Sequence, residues 1–269
     1  SLAPLVLSAL IDAVQWRPAL LVLAAATGVG FALVALVLAR DTPESCGLLP
    51  DGEAPVSTGA SPSASAPRPS ATLSEARGTA HYWIYSLALA TYSLTGTAVT
   101  FHVVDIFEEM GRTRDEAFGY FLPLACVAVV VNLASSWWSD RASLKPLLIM
   151  MLCGFIVGCW GLTRLDLDTG FWTVIVGFGV GSGLWAVLSS LAYVRFFGRM
   201  HLGEISGSAV SLSVVGSAIG PALFSAAKDL TGSYREVEWL CGAVFAALLV
   251  VALVKVQRDE PPRRETAST

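Results

Sequence analysis

The sequence predicts an all-α fold, a polytopic bundle of helices that crosses a membrane several times. Apolar residues make up 54% of the 269-residue chain and charged residues only 14%, whereas soluble domains average about 45–50% and about 25%. The apolar residues are also gathered into seven stretches that lack Asp, Glu, Lys and Arg. Most of these stretches have the roughly 18 to 25 residues that a helix needs to cross a bilayer.

The predicted spans, in chain order, cover residues 18–39, 79–104, 117–139, 146–163, 170–194, 205–227 and 239–254. The last span is short, so we expect Glu238 and Lys255 to extend it as its ends in the membrane interface. Before the first span, Trp16 and Arg17 suit an interface, and Pro18 suits the first turn of a helix.

Residues 1–11 are apolar but lack the basic start and the cleavage site of a secretory signal. We therefore expect them to be the last turns of a helix that begins upstream, so that the sequence is a fragment of a longer protein.

The composition changes abruptly at residues 40–78, which are rich in Ser, Ala, Pro and Gly. Such a segment cannot bury enough apolar surface to offset the entropy lost on ordering, so it predicts a disordered linker. The linker separates one and a half helices, in residues 1–39, from a six-helix bundle in residues 79–255. Residues 256–269 form a tail.

The distribution of basic residues predicts the orientation of the chain. Of the 17 Lys and Arg residues, eleven fall in the linker, the tail and the loops on the same side of the membrane. Because basic loops stay in the cytoplasm, we expect the linker and the C-terminus to be cytoplasmic. The chain would then be an integral protein of the plasma (inner) membrane.

The span at 170–194 contains four alternating glycines, Gly177, Gly179, Gly181 and Gly183. Their spacing does not fit the G-x-G-x-x-G of a dinucleotide-binding loop. On a helix, Gly177 and Gly181 lie on one face and the other two nearly opposite. Small residues let membrane helices approach closely, so this helix is predicted to pack between two neighbours. Both a moving bundle and a static one fit this pattern.

Polar residues inside predicted spans are the candidate functional residues, because they are costly in lipid and tend to face a cavity or a partner helix. They include Tyr92, Asn132 and Trp185. His102 and Asp105 are three residues apart and could share a proton near one end of a helix. A packed or solvated histidine, and an asparagine that only bonds a neighbouring helix, are the alternatives.

Other function classes lack support in the sequence. The G-x-S-x-G and H-E-x-x-H patterns are missing, and the three histidines are dispersed. The five cysteines form no C-x-x-C pair. We therefore expect no catalysis, metal or cofactor, and the lack of a basic patch argues against nucleic acid.

The segment SSWWSDRASLKP, residues 135–146, follows the second helix of the six-helix bundle. It resembles the G-x-L-S-D-R-x-G-R-K loop of the major facilitator superfamily, with Ser139, Asp140, Arg141 and Lys145 matching. Two glycines and an arginine of that pattern are replaced, by Ser136, Ser143 and Leu144. The segments QWRPA and TPESCGLLPDG are similar to this superfamily as well. FFGRMHLGEISG, GPALFSAAKDLTGSY and TFHVVDIF resemble its branch of oxalate/formate antiporters and monocarboxylate transporters.

The resemblance implies that residues 1–39 end an N-terminal bundle and residues 79–255 form the C-terminal six-helix half. It also implies that Asp140 and Arg141 form a cytoplasmic gating latch between the halves. A substrate cavity near the bilayer midplane would receive Tyr92, His102, Asn132 and Trp185. The basic residue that the anion-handling branch holds in its second or fifth helix is lacking here, so an organic anion would depend on the missing N-terminal half.

The leading hypothesis is a secondary active transporter that moves a small solute, for example a monocarboxylate, by alternating access. Its partners would be the lipid bilayer, the solute and the missing half. The alternative is a membrane sensor or scaffold that keeps the fold without transport. A membrane-embedded enzyme that depends on His102 or Asp105 is the third hypothesis.

Overall fold

The computed structural model describes residues 3–38, 70–139, 141 and 143–256. Within these residues all regular secondary structure is helical, in agreement with the predicted fold class. The helices are α1 (Ala3–Val14), α2 (Trp16–Leu38), α3 (Leu73–Arg77), α4 (Ala80–Phe101), α5 (Val103–Glu109), α6 (Arg114–Gly119), α7 (Phe121–Ser139), α8 (Leu144–Leu162), α9 (Asp168–Phe197), α10 (Leu202–Thr231) and α11 (Arg235–Lys255).

The chain divides into two compact units, Ser1–Pro67 and Arg68–Thr269. In the first unit, α1 and α2 meet at Gln15, which has a positive φ of 67°. Helix α2 begins two residues before the predicted start, with the Arg17 guanidinium 4.9 Å from the Trp16 ring centroid. Pro18 stands in its first turn, where a missing N–H leaves no helical hydrogen bond unmade.

The second unit begins within the predicted linker, whose residues 40–69 lie outside the described part, as does most of the predicted tail. The linker was predicted to run to Gly78, but Leu73–Arg77 form α3. Thr72 and Glu75 explain the difference, because they make a reciprocal capping box at the start of this helix. Ala71 N–H donates to Phe197 O at 3.0 Å, so the segment is held against the end of α9.

Six described helical segments are long and apolar enough to cross a membrane, and α4 with α5 counts as a seventh if the bent pair is one span. These agree with the seven predicted spans. The first span of the bundle differs in detail, since α4 ends at Phe101 rather than continuing to Val104, and α5 turns away by 71°. Helix α11 begins at Arg235, four residues earlier than predicted.

Helix α9 occupies the middle of the bundle, between α8 and α7. A Cβ added to Gly177 or Gly181 would meet α8, at 2.4 Å from Gly158 N and 2.1 Å from the Phe155 ring respectively. A Cβ on Gly179 or Gly183 would instead meet α7 at 2.8 and 2.5 Å. The two glycine faces therefore allow close approach of two different neighbours.

The remaining contacts complete the bundle. Helix α8 also packs against α11, and α4 packs against α10, where a Cβ on Gly220 would lie 2.3 Å from Leu94 O. Large apolar side chains cover the outward faces of several helices, for example Val129, Leu133 and Trp172. Such an outer surface suits lipid rather than water.

The bundle has two ends, here called the linker side and the far side. The linker side carries Ser70–Arg77, the α7–α8 turn, the α9–α10 turn and the end of α11. The far side carries the α5–α6, α8–α9 and α10–α11 connections. On the linker side, Lys145 Nζ donates to Leu253 O at 3.0 Å and to Val256 O at 2.6 Å. Lys145 thereby caps the last carbonyl groups of α11.

Candidate functional site

A cavity of about 770 Å³ lies between α4, α9 and α10. Among the described residues that line it, none is charged. Aromatic side chains contribute one part of the wall, and hydroxyl groups contribute another. The aromatic residues are Tyr92, Phe101, Trp185 and Tyr193, and the hydroxyl-bearing ones are Ser93, Thr97, Thr100, Ser189, Ser190, Ser213 and Ser217.

Tyr92 and Trp185, two of the predicted cavity residues, meet in this wall. Their ring centroids are 5.4 Å apart, and Tyr92 stacks on Phe155 of α8 at 4.5 Å with an interplanar angle of 13°. This stacking fixes the Tyr92 ring at the junction of α4, α8 and α9. The indole Nε1 of Trp185 is buried and has no hydrogen-bond partner among the described residues.

Hydroxyl pairs connect the helices around the cavity. Thr97 and Ser217 join α4 to α10 through a hydrogen bond of 2.8 Å between their hydroxyl oxygens. Ser86 and Tyr193 join α4 to α9 at 2.9 Å. These bonds join the walls of the cavity. The remaining hydroxyls of the wall donate to carbonyl oxygens of their own helices, which leaves their lone pairs as acceptors; they belong to Ser93, Thr100, Ser189, Ser190 and Ser213.

Asn132, the third predicted cavity residue, lines a different cavity of about 450 Å³ next to α7 and α9. Its Nδ2 donates to Gly183 O at 3.3 Å, so it bonds the glycine-rich face of α9. Ser190 lines both cavities. The structure therefore brings Tyr92 and Trp185 together and places Asn132 on the other side of α9.

His102, the fourth predicted residue, lies at the break between α4 and α5 and does not line either of these cavities. Its Nε2 is 3.1 Å from Pro221 O, and its Nδ1 is 3.3 Å from the Tyr234 hydroxyl. Because a carbonyl oxygen can only accept, Nε2 carries the hydrogen, and with a neutral imidazole the Tyr234 O–H then donates to Nδ1. Burial raises the pKa of Tyr234, helped by Asp105 and Glu109, so it stays a donor. Asp105 Oδ2 lies 3.9 Å from His102 Nδ1.

Charged residues connect the helix ends on the far side. Glu109 at the end of α5 accepts from Lys228 of α10, from Ser233 Oγ at 2.6 Å and from Tyr234 N–H at 3.3 Å. Arg112 binds Asp168 Oδ1 at 2.8 Å and Leu165 O at 2.7 Å. Its hydrogen bond with Asp168, with help from Glu116, raises the pKa of Arg112.

The predicted gating loop lies on the linker side. Asp140 is outside the described residues. Arg141 is exposed, its guanidinium carbon lies 4.2 Å from the Trp137 ring centroid, and its Nη1 donates to Trp137 O at 2.9 Å. Arg195 of α9 donates to Ser139 O, at the end of α7. In this arrangement both arginines bind the C-terminal end of α7.

One acidic residue of the last predicted span is buried inside the protein. Glu238, predicted as an interfacial end of that span, is only 1% exposed. It belongs to the buried stripe of α11 that continues with Cys241 and Phe245, at spacings of three and seven residues. That helical spacing was the signal in the sequence, because residues three, four and seven apart share one face.

Comparison with known proteins extends these observations. A family model described as the Major Facilitator Superfamily matches residues 1–221, well over half of the chain. A search of curated proteins finds no match, and the narrower resemblance to oxalate/formate antiporters and monocarboxylate transporters is not supported. The match runs through the first unit and on to Pro221 in α10. Taken with the helices that are long and apolar enough to span a bilayer, it shows that this chain belongs to the major facilitator superfamily.

Proposed function

We propose that this membrane transporter moves a small solute by alternating access, and that the cavity between α4, α9 and α10 is part of its solute site. The cavity itself carries the proposal, since about 770 Å³ falls within the range of about 300–1,000 Å³ that is usual for small-molecule sites. A gradient would drive transport. The first unit would belong to the N-terminal half of the transporter, and α4 to α11 would form the C-terminal half.

The character of the wall favours an uncharged polar solute. Aromatic faces can contact its carbon skeleton, and serine and threonine oxygens can accept hydrogen bonds from its polar groups. The unpartnered Trp185 Nε1–H would gain an acceptor if the solute or a shift in the helices brought one. An organic anion such as a monocarboxylate is the second candidate, and it would require a cation from residues other than these.

The test is uptake by the full-length protein in proteoliposomes, with radiolabelled lactate, pyruvate, glucose and glycerol as probes. Ser213→Phe fills the cavity from α10, and Ser225→Phe places the same ring on an exposed position of that helix outside the cavity. We expect Ser213→Phe to reduce uptake at least tenfold and Ser225→Phe to leave it within twofold. Equal uptake in both variants would exclude this cavity as the solute site. Binding without uptake in the unmodified protein would favour the sensor or scaffold.

We also propose that Arg141, with Asp140, acts as a gating latch on the linker side. Its exposed guanidinium, stacked on Trp137, could exchange this contact for a partner on the other half of the transporter. Arg141→Ala should slow uptake, whereas Arg199→Ala, an exposed arginine on the same side, should not. Equal rates in the two variants would remove Arg141 from the gating mechanism.

His102 and Asp105 are proposed to respond to protons at the far side. The neutral imidazole connects α4 to α10 and α11, and a second ring proton would turn Nδ1 from an acceptor into a donor. That change opposes donation from Tyr234 and favours Asp105, 3.9 Å away. His102→Gln keeps a donor and an acceptor but does not titrate near neutrality. It should flatten the dependence of uptake on external pH, and an unchanged profile would contradict this role.

A further inference from the structure

We propose that Glu238 is a proton-binding site of the transport cycle, neutral in the arrangement seen here and deprotonated when α11 separates from its neighbours. The proposal rests on the transport function proposed above. It differs from the His102 and Asp105 hypothesis because it concerns a buried acid on another helix, one that the predicted transport mechanism does not use.

The position of Glu238 isolates it from water. It lies one turn inside α11, which packs against α8 and α4. Cys159 of α8 packs against this part of α11, since a Cβ added to Gly242 would lie 3.5 Å from Cys159 Cβ. With Glu238 only 1% exposed, its carboxyl group is enclosed within the bundle and shielded from water.

The carboxyl oxygens of Glu238 stand outside the hydrogen bonds formed among the described residues. Both of its oxygens are buried, and neither has a hydrogen-bond partner among the described residues. No described Lys or Arg forms an ion pair with it. Unsatisfied buried polar atoms are few in native proteins, and each calls for a physical explanation.

The charged surroundings favour the neutral acid. The titratable and charged neighbours are Glu109 of α5, Cys159 of α8, and Arg235, Glu236 and Cys241 of α11 itself. Glu109 and Glu236 are acidic. Arg235, the one cation among these described residues, is exposed and directs its Nη2 to Met110 Sδ at 3.8 Å. An ionised carboxylate here would lose its hydration without gaining a hydrogen bond or a counter-ion. A protonated carboxyl group avoids that loss.

The far-side cluster provides a route by which the proton could reach water. Tyr234, one turn before Glu238, is joined to His102 and to Glu109, and Glu109 binds Lys228. Glu109 and Lys228 have side chains that are 18% and 35% exposed. Breaking these contacts would free the start of α11, admit water to Glu238 and let its carboxyl O–H release a proton to solution. Reclosure would require the carboxylate to take a proton back.

Infrared spectroscopy tests the protonation state without transport. The full-length protein in lipid should show the C=O stretch of a protonated carboxylic acid at pH 7, shifted in D₂O. Glu238→Gln should remove this band, and Glu236→Gln, which changes an exposed acid on the same helix, should retain it. An identical band in Glu238→Gln, or no band in the unmodified protein, would overturn the proposal even if transport were demonstrated.

Transport gives the second readout, with the radiolabelled probes named above. Glu238→Gln should reduce uptake driven by a pH gradient at least tenfold, while solute exchange without a gradient persists. Glu238→Asp, which keeps a carboxyl group, should retain part of the driven uptake. Driven uptake equal to that of the unmodified protein in Glu238→Gln would overturn the proposal. Loss of both driven uptake and exchange in Glu238→Gln and in Glu238→Asp would also overturn the proposal, because a purely structural role of Glu238 would explain that result. Failure of the unmodified protein to take up any probe would count against the proposed solutes and leave the infrared result standing.

Discussion

Replacing Gly177 with alanine tests the close contact between α8 and α9. The added Cβ would lie 2.4 Å from Gly158 N, 2.7 Å from Gly158 Cα and 2.8 Å from Gly154 O. All three atoms belong to the backbone of α8, so no side-chain rotation can relieve the overlap. Ordinary contact begins at 3.4 Å, and the two helices would therefore have to move apart locally by about 1 Å.

The expected cost follows from two opposing effects. Overpacking a well-packed core costs about 1–3 kcal/mol, and backbone atoms that cannot move aside place this site near the upper end. Alanine gains about 1 kcal/mol over glycine in helix propensity, which leaves a net loss of about 2 kcal/mol. The matched control is Gly207→Ala in α10, where an added Cβ meets nothing within 4 Å. That variant should gain about 0.5–1 kcal/mol.

Thermal unfolding of the detergent-solubilised chain, followed by fluorescence-detected size exclusion, measures the difference. A gap of about 3 kcal/mol corresponds to roughly 6–12 °C in Tm for a chain of this size class, with Gly177→Ala below the unmodified protein and Gly207→Ala at or above it. If Gly177→Ala unfolds at the same temperature as Gly207→Ala, the two helices do not pack as closely as described.

Three further predictions concern hydrogen bonds. Lys145→Met should destabilise the last turn of α11 by roughly 1 kcal/mol, so that its amides exchange hydrogen about fivefold faster. Unchanged exchange in that turn would show that Lys145 does not cap the helix. A double-mutant cycle of Thr97→Val and Ser217→Ala should give a coupling of about 0.6 kcal/mol, and additive effects would mean that the bond between α4 and α10 contributes nothing. Backbone and side-chain hydrogen bonds from Thr72 lower the pKa of Glu75. The stability that Glu75 contributes as a cap is therefore fully present above the pKa that Glu75 has in the unfolded chain, and it is lost as the pH falls through the lowered pKa of the folded chain. Amide protection in α3 should decrease over that acidic range in the unmodified protein but not in Glu75→Gln.

Much of the fold could be predicted because the relevant signals are local. Uncharged stretches of spanning length located the seven spans, and the alternate glycines indicated a helix with two small-residue faces. The capping box of Thr72 and Glu75 is equally local, yet the Pro- and Ser-rich composition around it concealed a helix of five residues. The break at His102 was missed because its hydrogen bonds go to Pro221 and Tyr234, more than a hundred residues away.

The candidate site was predictable only in part. Tyr92 and Trp185 were chosen as polar residues within spans, and both line the cavity. Asn132 was chosen on the same grounds but lies on the other side of α9. Helix α7, which carries Asn132, packs against the face of α9 that contains Gly179 and Gly183. The α10 hydroxyls that complete the cavity wall belong to Ser213 and Ser217, whose spacing of four places them on one helix face. That spacing does not tell which helix the face meets.

The amino-acid order alone determined that this chain is helical, crosses a membrane and approaches its neighbours closely at glycine, since hydropathy, helix length and side-chain size act on each segment separately. Tertiary structure decided which polar groups meet water, a solute or only each other. Glu238 illustrates the distinction, because a carboxyl group one turn from a helix end can be solvated or enclosed. The outcome depends on how α4 and α8 cover that face, and their packing depends on side chains throughout the bundle.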